Sequence, residues 1–505
     1  MVIKLSYAQN NIVLESTTPY ATIWSDTDWK KTYKYVNKQR FRIFRAESEG
    51  DSRKVRDLQR MLVRSPAALK VAIKRVTQTN KGKRTPGVDR YLALSDAERG
   101  KLFIKIINRN INKHNPKPVY RTQIPKSNGK TRSLGIPTII DRVYQELLRL
   151  VLEPQWEARF EPISYGFRPA RRVHDAMERI FHDIHYRRFN YVFEGDFKAC
   201  FDTLSHEFIM EQLKGFPYVG LVEKFLKAGY VENGEFFSTN QGTPQGGLLS
   251  PLLANIALHG LENCLNISYY EYHSSKGYMT FITRGKYRVV RYADDFLIFA
   301  RNKEDIEAIA NILKEYLDRR GLILSEDKTC FTTIFKGFDF LGFNVKIERD
   351  NKCIIKPSKD SVKKAKAKIK DIFEYAKGQN VEYLIDKLNP VLDGIAEFWK
   401  PMASSKAFSN LDNYIWKKNW KFLNHLHPNK SSGWIVNKYF PRPEKDDEHQ
   451  DKWILTDSNT GKQLNKMSWT NIERHTMIKH NYSPLDKSKS DYFYKRRLST
   501  ANIFR

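Results

Sequence analysis

Three aspartates carry the first chemical signal in the sequence. Asp196 closes an apolar run, YVFEGD (191–196), and Asp294 and Asp295 stand side by side within RVVRYADDFLIF (288–299). Two adjacent carboxylates on a turn repel each other unless something neutralises them, and a divalent cation does so. Donor sets made only of oxygen favour Mg²⁺ or Mn²⁺ over zinc. Two such ions, about 3.5–4 Å apart, activate an attacking hydroxyl and stabilise a leaving phosphate group. Taken singly, each acid also reads as a turn or cap residue, so the weight rests on their combination.

The setting of these acids is unusual. The chain has 505 residues, enough for two to four packed units, and its 87 Lys and Arg against 57 Asp and Glu give a formal charge of +30. With 41% apolar and 13% aromatic residues it has the means to build a core, which excludes a disordered chain, and its charge calls for a polyanionic partner. The window from Tyr191 to Ala300 reverses the trend, with 9 basic against 12 acidic residues. Carboxylates that face a polyanion need metal between them, although an acidic surface alone would give the same count. Cysteines at 200, 264, 330 and 353 form no CxxC pair, so neither a zinc module nor a disulfide framework is expected. The apolar stretch Leu248–Leu261 is interrupted by Ser250, Pro251, Asn255 and His259, which excludes a membrane span, and no secretory leader is visible. The expected location is the cytoplasm.

The elements that must position the acids follow from periodicity. Residues 50–80 predict two amphipathic helices, with Ser65 and Pro66 as cap and first position of the second. Residues 121–137 predict a hairpin with Ser127-Asn128-Gly129 at its tip and Lys126, Lys130 and Arg132 outward. An amphipathic helix is expected over 141–153 and a buried strand over 191–196. A hairpin with acids at its turn is expected over 288–299, then a helix over 304–320, a stop at Gly321 and a short strand in ILSEDKT. Lys359 to Lys377 holds seven lysines on a helical pattern, for which a solvated face is the simplest account. Residues 428–450 look like a boundary. The fold class is α+β, a small antiparallel sheet packed on helices.

In that order, FEGDFKACFD, GTPQGGLLSPLLANIAL and RYADDFLIFA resemble the palm motifs of reverse transcriptases, in particular those encoded by group II introns. The resemblance continues upstream through IPKSNGKTRSLGIPTIIDRVYQ and downstream through SEDKT and FKGFDFLGF, and spans roughly residues 20–480. It implies a right-hand polymerase: an N-terminal extension and start of the fingers (1–80), fingers and an RRM-like antiparallel palm (81–355), an α-helical thumb or X domain (356–435), and a small basic DNA-binding region (436–505). The implied reaction is RNA-directed DNA synthesis, joined to binding of the group II intron RNA for splicing and retrohoming.

The resemblance also assigns roles. Asp196, Asp294 and Asp295 become metal ligands for two Mg²⁺ ions, with Mn²⁺ a substitute and the Phe197 carbonyl a further ligand. Lys126 and Arg132 would hold the incoming triphosphate, where the family has RPLGIP and this chain reads Arg132-Ser133-Leu134. Phe201 would lie beneath the sugar, where a ring leaves no room for a 2′-hydroxyl and so selects deoxynucleotides. Gln245 would approach the sugar and base, Gly246-Gly247 would admit close backbone approach, and Ser250-Pro251 would begin the next helix. Lys328 matches a palm lysine near the triphosphate. Phe340-Leu341-Gly342-Phe343 resembles the primer grip. Lys363, Lys364, Lys366, Lys368 and Lys370 would track phosphates of the duplex, joined further on by Arg474, His475 and Lys479. Trp399, Trp416 and Trp420 read as thumb core or as stacking surfaces.

Many family members end in an HNH nuclease with paired cysteines, whereas no cysteine here follows Cys353. No second-strand endonuclease is expected, and a primer would come from elsewhere, such as a nascent strand at a replication fork. The expected partners are intron RNA, an RNA template, primer or target DNA, and deoxynucleoside triphosphates. The alternatives are a stand-alone reverse transcriptase in defence or repair, and a non-polymerising RNA-binding splicing factor.

Overall fold

Apolar residues at three- and four-residue spacing set the N-terminal helices. Ser52–Val63 buries Val55, Leu58 and Leu62, and Pro66–Lys74 follows with the Ser65 side chain accepting from the Ala67 amide. Both match the sequence expectation. In this computed structural model the described residues are 7–8, 11–12, 20–125, 129, 131–273, 275, 279–327, 329–443 and 448–501.

The strands that matter for function, in chain order, are β1 (Val119–Pro125), β2 (Thr131–Ile136), β3 (Tyr191–Gly195), β4 (Tyr230–Glu232), β5 (Glu235–Phe237), β6 (Arg288–Tyr292), β7 (Asp295–Ala300), β8 (Cys330–Thr333), β9 (Phe338–Phe340), β10 (Phe343–Ile347) and β11 (Cys353–Pro357). One sheet runs β2-β1-β4-β5, with β1 antiparallel to β2 and parallel to β4. A second runs β6-β7-β3-β8, and a third is the antiparallel β9-β10-β11. In the second sheet Val192, Phe193, Val290 and Phe296 to Ala300 are all buried, the continuous apolar reading of strands covered on both faces.

The chain packs as two compact units, drawn differently from the four segments read in the sequence. The first comprises residues up to Arg172, Phe193–Cys330 and the segment from Ile478 onward; the second comprises Val173–Val192 and Phe331–Met477. The boundaries between them fall after Arg172, within β3, within β8 and after Met477. Within the first unit, the Arg171 guanidinium donates to the His480 carbonyl at 2.7 Å and Arg496 to the Ala170 carbonyl at 2.7 Å, so the last described segment closes on residues laid down much earlier. The second unit holds the third sheet and the helices Lys359–Tyr375, Val381–Trp399, Ser405–Leu426 and Ser432–Tyr439.

Several expectations need correction. The helix over 141–153 extends over Ile139–Glu157 and is buried on nearly every side, because its polar residues are paired: Asp141 with His114 at 2.6 Å, and Arg142 with the carbonyls of Pro137, Gly82 and Thr85. The helix over 304–320 is two, Lys303–Glu307 and Ile309–Asp318. ILSEDKT contributes one bridge, Leu324 to Phe197, and the strand begins only at Cys330. Residues 428–450 include the helix Ser432–Tyr439, with the Ser431 side chain as its cap.

Candidate active site

Asp196 follows directly on β3, Asp294 sits in the turn between β6 and β7, and Asp295 opens β7. Close packing joins these strand ends. A Cβ on Gly195 would lie 2.1–2.6 Å from the Phe296 ring, so only glycine lets that ring cross β3 beside Asp196. The same ring stacks on Phe197 at 5.0 Å between centroids. Asp196 and Asp294 are half-buried and Asp295 is exposed. Burial, then the Asp294 carboxylate, with Asp196 and Asp202 also in range, push the Cys200 thiol up. Asp196 and Asp294 thus act electrostatically on one buried side chain.

Beneath the turn lies a residue the sequence reading passed over. Arg291 is fully buried, and its Nη1 donates to Asn255 Oδ1 at 3.0 Å and to the Ala293 carbonyl at 3.1 Å. Asn255 Nδ2 donates to the Gly166 carbonyl at 2.8 Å, and the main chain of Arg291 is bonded on both sides to Ile163 and Tyr165. Ala293 holds a left-handed backbone at φ +58°, strained for an alanine, and Gly166 is pressed against it so closely that a Cβ would meet the Ala293 nitrogen at 2.3 Å. The arginine just ahead of Tyr292 and the two acids was the available signal.

Around this site the other predicted residues divide. Phe201 is 7% exposed, its carbonyl accepts from the Thr243 amide at 2.6 Å, and Phe167 meets it edge-on at 6.4 Å. Arg132 Nε donates to Gln245 Oε1 at 2.6 Å, which brings two predicted nucleotide contacts together. Gly246, at φ +119°, lies against the Gly135 carbonyl, and Ser250 opens its helix without capping it, donating instead to the Pro244 carbonyl at 2.8 Å. A cavity of about 240 Å³ lies here, with Arg121, Ser133, Asp202, Tyr230 and Gln245 in its wall. Burial raises the Asp202 carboxyl against the opposing pull of Arg121 and Arg132, and Arg121 lies over the Tyr230 ring at 4.0 Å. Neither Arg121 nor Asp202 stood out in the sequence. Lys126, Ser127, Asn128, Lys130 and Lys328 lie outside the described residues.

In the second unit, Phe340 and Phe343 are buried and Leu341 and Gly342 form a tight turn at φ +49° and +86°. Lys363, Lys364, Lys368 and Lys370 are exposed on Lys359–Tyr375, Lys366 less so, and Lys364 pairs with Asp360 at 2.5 Å. His475, expected on a nucleic-acid surface, is instead held inward by Asp175 at 3.0 Å, because that buried carboxylate needs a partner. Arg474 pairs with Glu178 at 2.6 Å over the Phe181 ring. Lys479, in the first unit, is exposed. Trp399 is core, whereas Trp416 is 42% exposed.

Among the described residues no three His, Cys, Asp or Glu side chains form a ready cation cluster. The donor chemistry nonetheless suits a hard dication, since two half-buried carboxylates on neighbouring strand ends offer oxygen ligands and no soft ones. No described helix is long and apolar enough to cross a membrane.

Comparison with known proteins gives three family matches: reverse transcriptase (RNA-dependent DNA polymerase) over residues 124–345, the N-terminal domain of reverse transcriptase over 24–106, and the group II intron maturase-specific domain over 362–440. Protein YkfC of Escherichia coli is 35% identical over 295 residues, covering 53% of this chain and 77% of that protein. The group II intron-encoded protein LtrA of Lactococcus lactis is 34% identical over 287 residues, 46% of this chain and 48% of LtrA, so the match spans about half of that relative. Maturase-like protein 1 of Euglena longa is 27% identical over 394 residues, covering 74% of this chain and 78% of that protein.

Proposed function

The chain belongs to the group II intron reverse transcriptases, with a reverse transcriptase domain followed by a maturase-specific domain, and from that premise we propose that it copies RNA into DNA and binds its own intron RNA to promote splicing and retrohoming. The observation that carries the polymerase half is that Asp196 follows β3 and Asp294 precedes β7, neighbouring strands packed closely enough that only glycine fits at 195 beside the Phe296 ring. In this reading Asp196, Asp294 and Asp295, with the Phe197 carbonyl, hold two Mg²⁺ ions, which when bound supply Lewis-acid stabilisation of the phosphoryl transfer. The protein's own part is positioning. The Arg291–Asn255 pair fixes the turn, Phe201 bars a 2′-hydroxyl, and Arg132, Gln245, Lys126 and Lys328 orient the deoxynucleoside triphosphate. Phe340 to Phe343 support the primer end, and the lysines of Lys359–Tyr375, with Arg474 and Lys479, contact phosphates. The work is placed in the cytoplasm, with the intron ribonucleoprotein.

The test is primer extension on an RNA template with Mg²⁺, alongside splicing of RNA transcribed from the flanking locus. Extension with deoxynucleotides and stimulated splicing are expected, and Asp294→Asn should abolish extension while leaving splicing. Loss of both activities in that variant would overturn the separation of the two roles. Extension without splicing would reduce the reading to a stand-alone reverse transcriptase.

A further inference from the structure

Two cavities flank Trp416 within the second unit. The first, about 340 Å³, opens between the helix Ser405–Leu426 and residues 452–466, with Trp416, Asn419, Trp453 and Asn465 in its wall. The second, about 620 Å³, has Tyr414, Trp416, Trp420 and the lysines 417, 418 and 421 around it. Trp416 is 42% and Trp453 49% exposed, and Trp453 is held at φ +71°, a strained backbone for an aromatic residue. Each wall also contains an orphaned polar atom. Asn419 is 3% exposed and its Oδ1 has no hydrogen-bond partner, and the Trp420 Nε1 is buried with none. Such groups are costly until a ligand satisfies them. The wall is preformed: Asp451 accepts from Lys466 and from Trp469 Nε1, both at 2.6 Å, and Asp412 accepts the amides of Met467 and Ser468 at 2.9 and 3.0 Å.

We propose that these paired cavities capture an unpaired nucleotide of a single-stranded RNA. The base stacks on Trp416 and Trp453, its polar edge meets Asn419, and neighbouring phosphates lie on Lys417, Lys418 and Lys421. Exposed rings beside a row of lysines are what a single strand needs, whereas a duplex hides its base faces. The inference rests on the reading of this chain as an RNA-handling protein.

The test uses the whole protein and a thiouridine-substituted single-stranded RNA, with the same strand as DNA and as an RNA duplex for comparison, and with neither primer nor nucleotides. Trp416→Ala and Trp453→Ala should each weaken single-stranded RNA binding ~5- to 100-fold, leave duplex binding unchanged, and remove a photocrosslink that maps to Trp416 or Trp453. Asn419→Leu, which keeps volume but lacks the amide, reads the same pocket if an alanine variant fails to fold. Unaltered single-strand affinity, equal loss on duplex, equal affinity for the DNA strand, or crosslinks elsewhere would each overturn the proposal. Because the assay contains no polymerisation, failure of primer extension and failure of this pocket are separate results.

Discussion

At the scale of single residues, the proposed polymerase would use Phe201 to select the sugar and Arg291 to position the turn. Phe201 is a buried ring whose backbone carbonyl is tied to the Thr243 amide, so shortening its side chain opens space while that main-chain bond stays. Phe201→Ala should admit ribonucleotides, seen as a rise in ribonucleotide against deoxynucleotide kcat/KM; an unchanged ratio would remove Phe201 from sugar selection. Arg291→Met should act differently, because it leaves Asn255 Oδ1 and the Ala293 carbonyl without their donor. A misplacement near 1 Å costs about 10²-fold in rate, so kcat should fall by roughly that amount while KM for the nucleotide moves little. A matching rise in KM would instead place Arg291 in binding. His259, nearby in the same unit, gives a pH signature. Burial, then the guanidiniums of Arg291, Arg168, Arg320 and Arg159, hold its imidazole down to about 4 against an ordinary 6.5. Its stabilising effect is present above the unfolded value and is lost as pH falls toward the folded one, by about 3 kcal/mol in all. Glu161, raised by burial, works in the opposite sense over part of that range, since its folded form retains a proton. The melting temperature should therefore fall between pH 6.5 and 4, and His259→Asn should flatten that fall.

Among the elements, the turn at Leu341-Gly342 and the helix Lys359–Tyr375 are joined through one carbonyl. Gly342 O accepts from the Ser358 amide at 3.0 Å and from Ser361 Oγ at 2.7 Å, while the Ser358 side chain caps the helix. Ser358→Ala should cost about 1 kcal/mol, measured as a lower denaturation midpoint, and Ser361→Ala a similar amount through the lost hydroxyl. The elements also show where the sequence was readable. Hairpins with strongly apolar arms and helices with a clean apolar stripe were legible, as were Ser65-Pro66 at a helix start and Asp294 on a turn. What escaped were features made by long-range pairing. The Ile139–Glu157 helix pairs Asp141 with His114, 27 positions earlier, and Arg142 with the Gly82 carbonyl, 60 positions earlier, which no periodicity shows. His475 looked like a surface contact because its partner, Asp175, lies 300 residues earlier. Arg291 drew no attention, because burial of a guanidinium is rare and its acceptors, Asn255 and the Ala293 carbonyl, show only in the fold.

Over the whole molecule, the charge of +30 around an acidic window predicts a property no single residue carries. If six to ten phosphates are contacted, RNA affinity should fall by about 10³- to 10⁵-fold between 50 and 200 mM salt, and a shallow slope in a titration would contradict electrostatic holding. The division into two units was the least legible feature, since the chain leaves the first unit and returns to it. Residues 478–501 complete a body whose other parts end at Cys330, through Arg171 with His480, Ser483 with Glu157 and Arg496 with Ala170. A ribosome adding about 5–20 residues per second takes roughly 7–30 s to make the intervening stretch. For that interval the first unit is unfinished while the later unit is already emerging, so the surfaces around Glu157, Ala170 and Arg171 that residues 478–501 will cover stand open to chaperones.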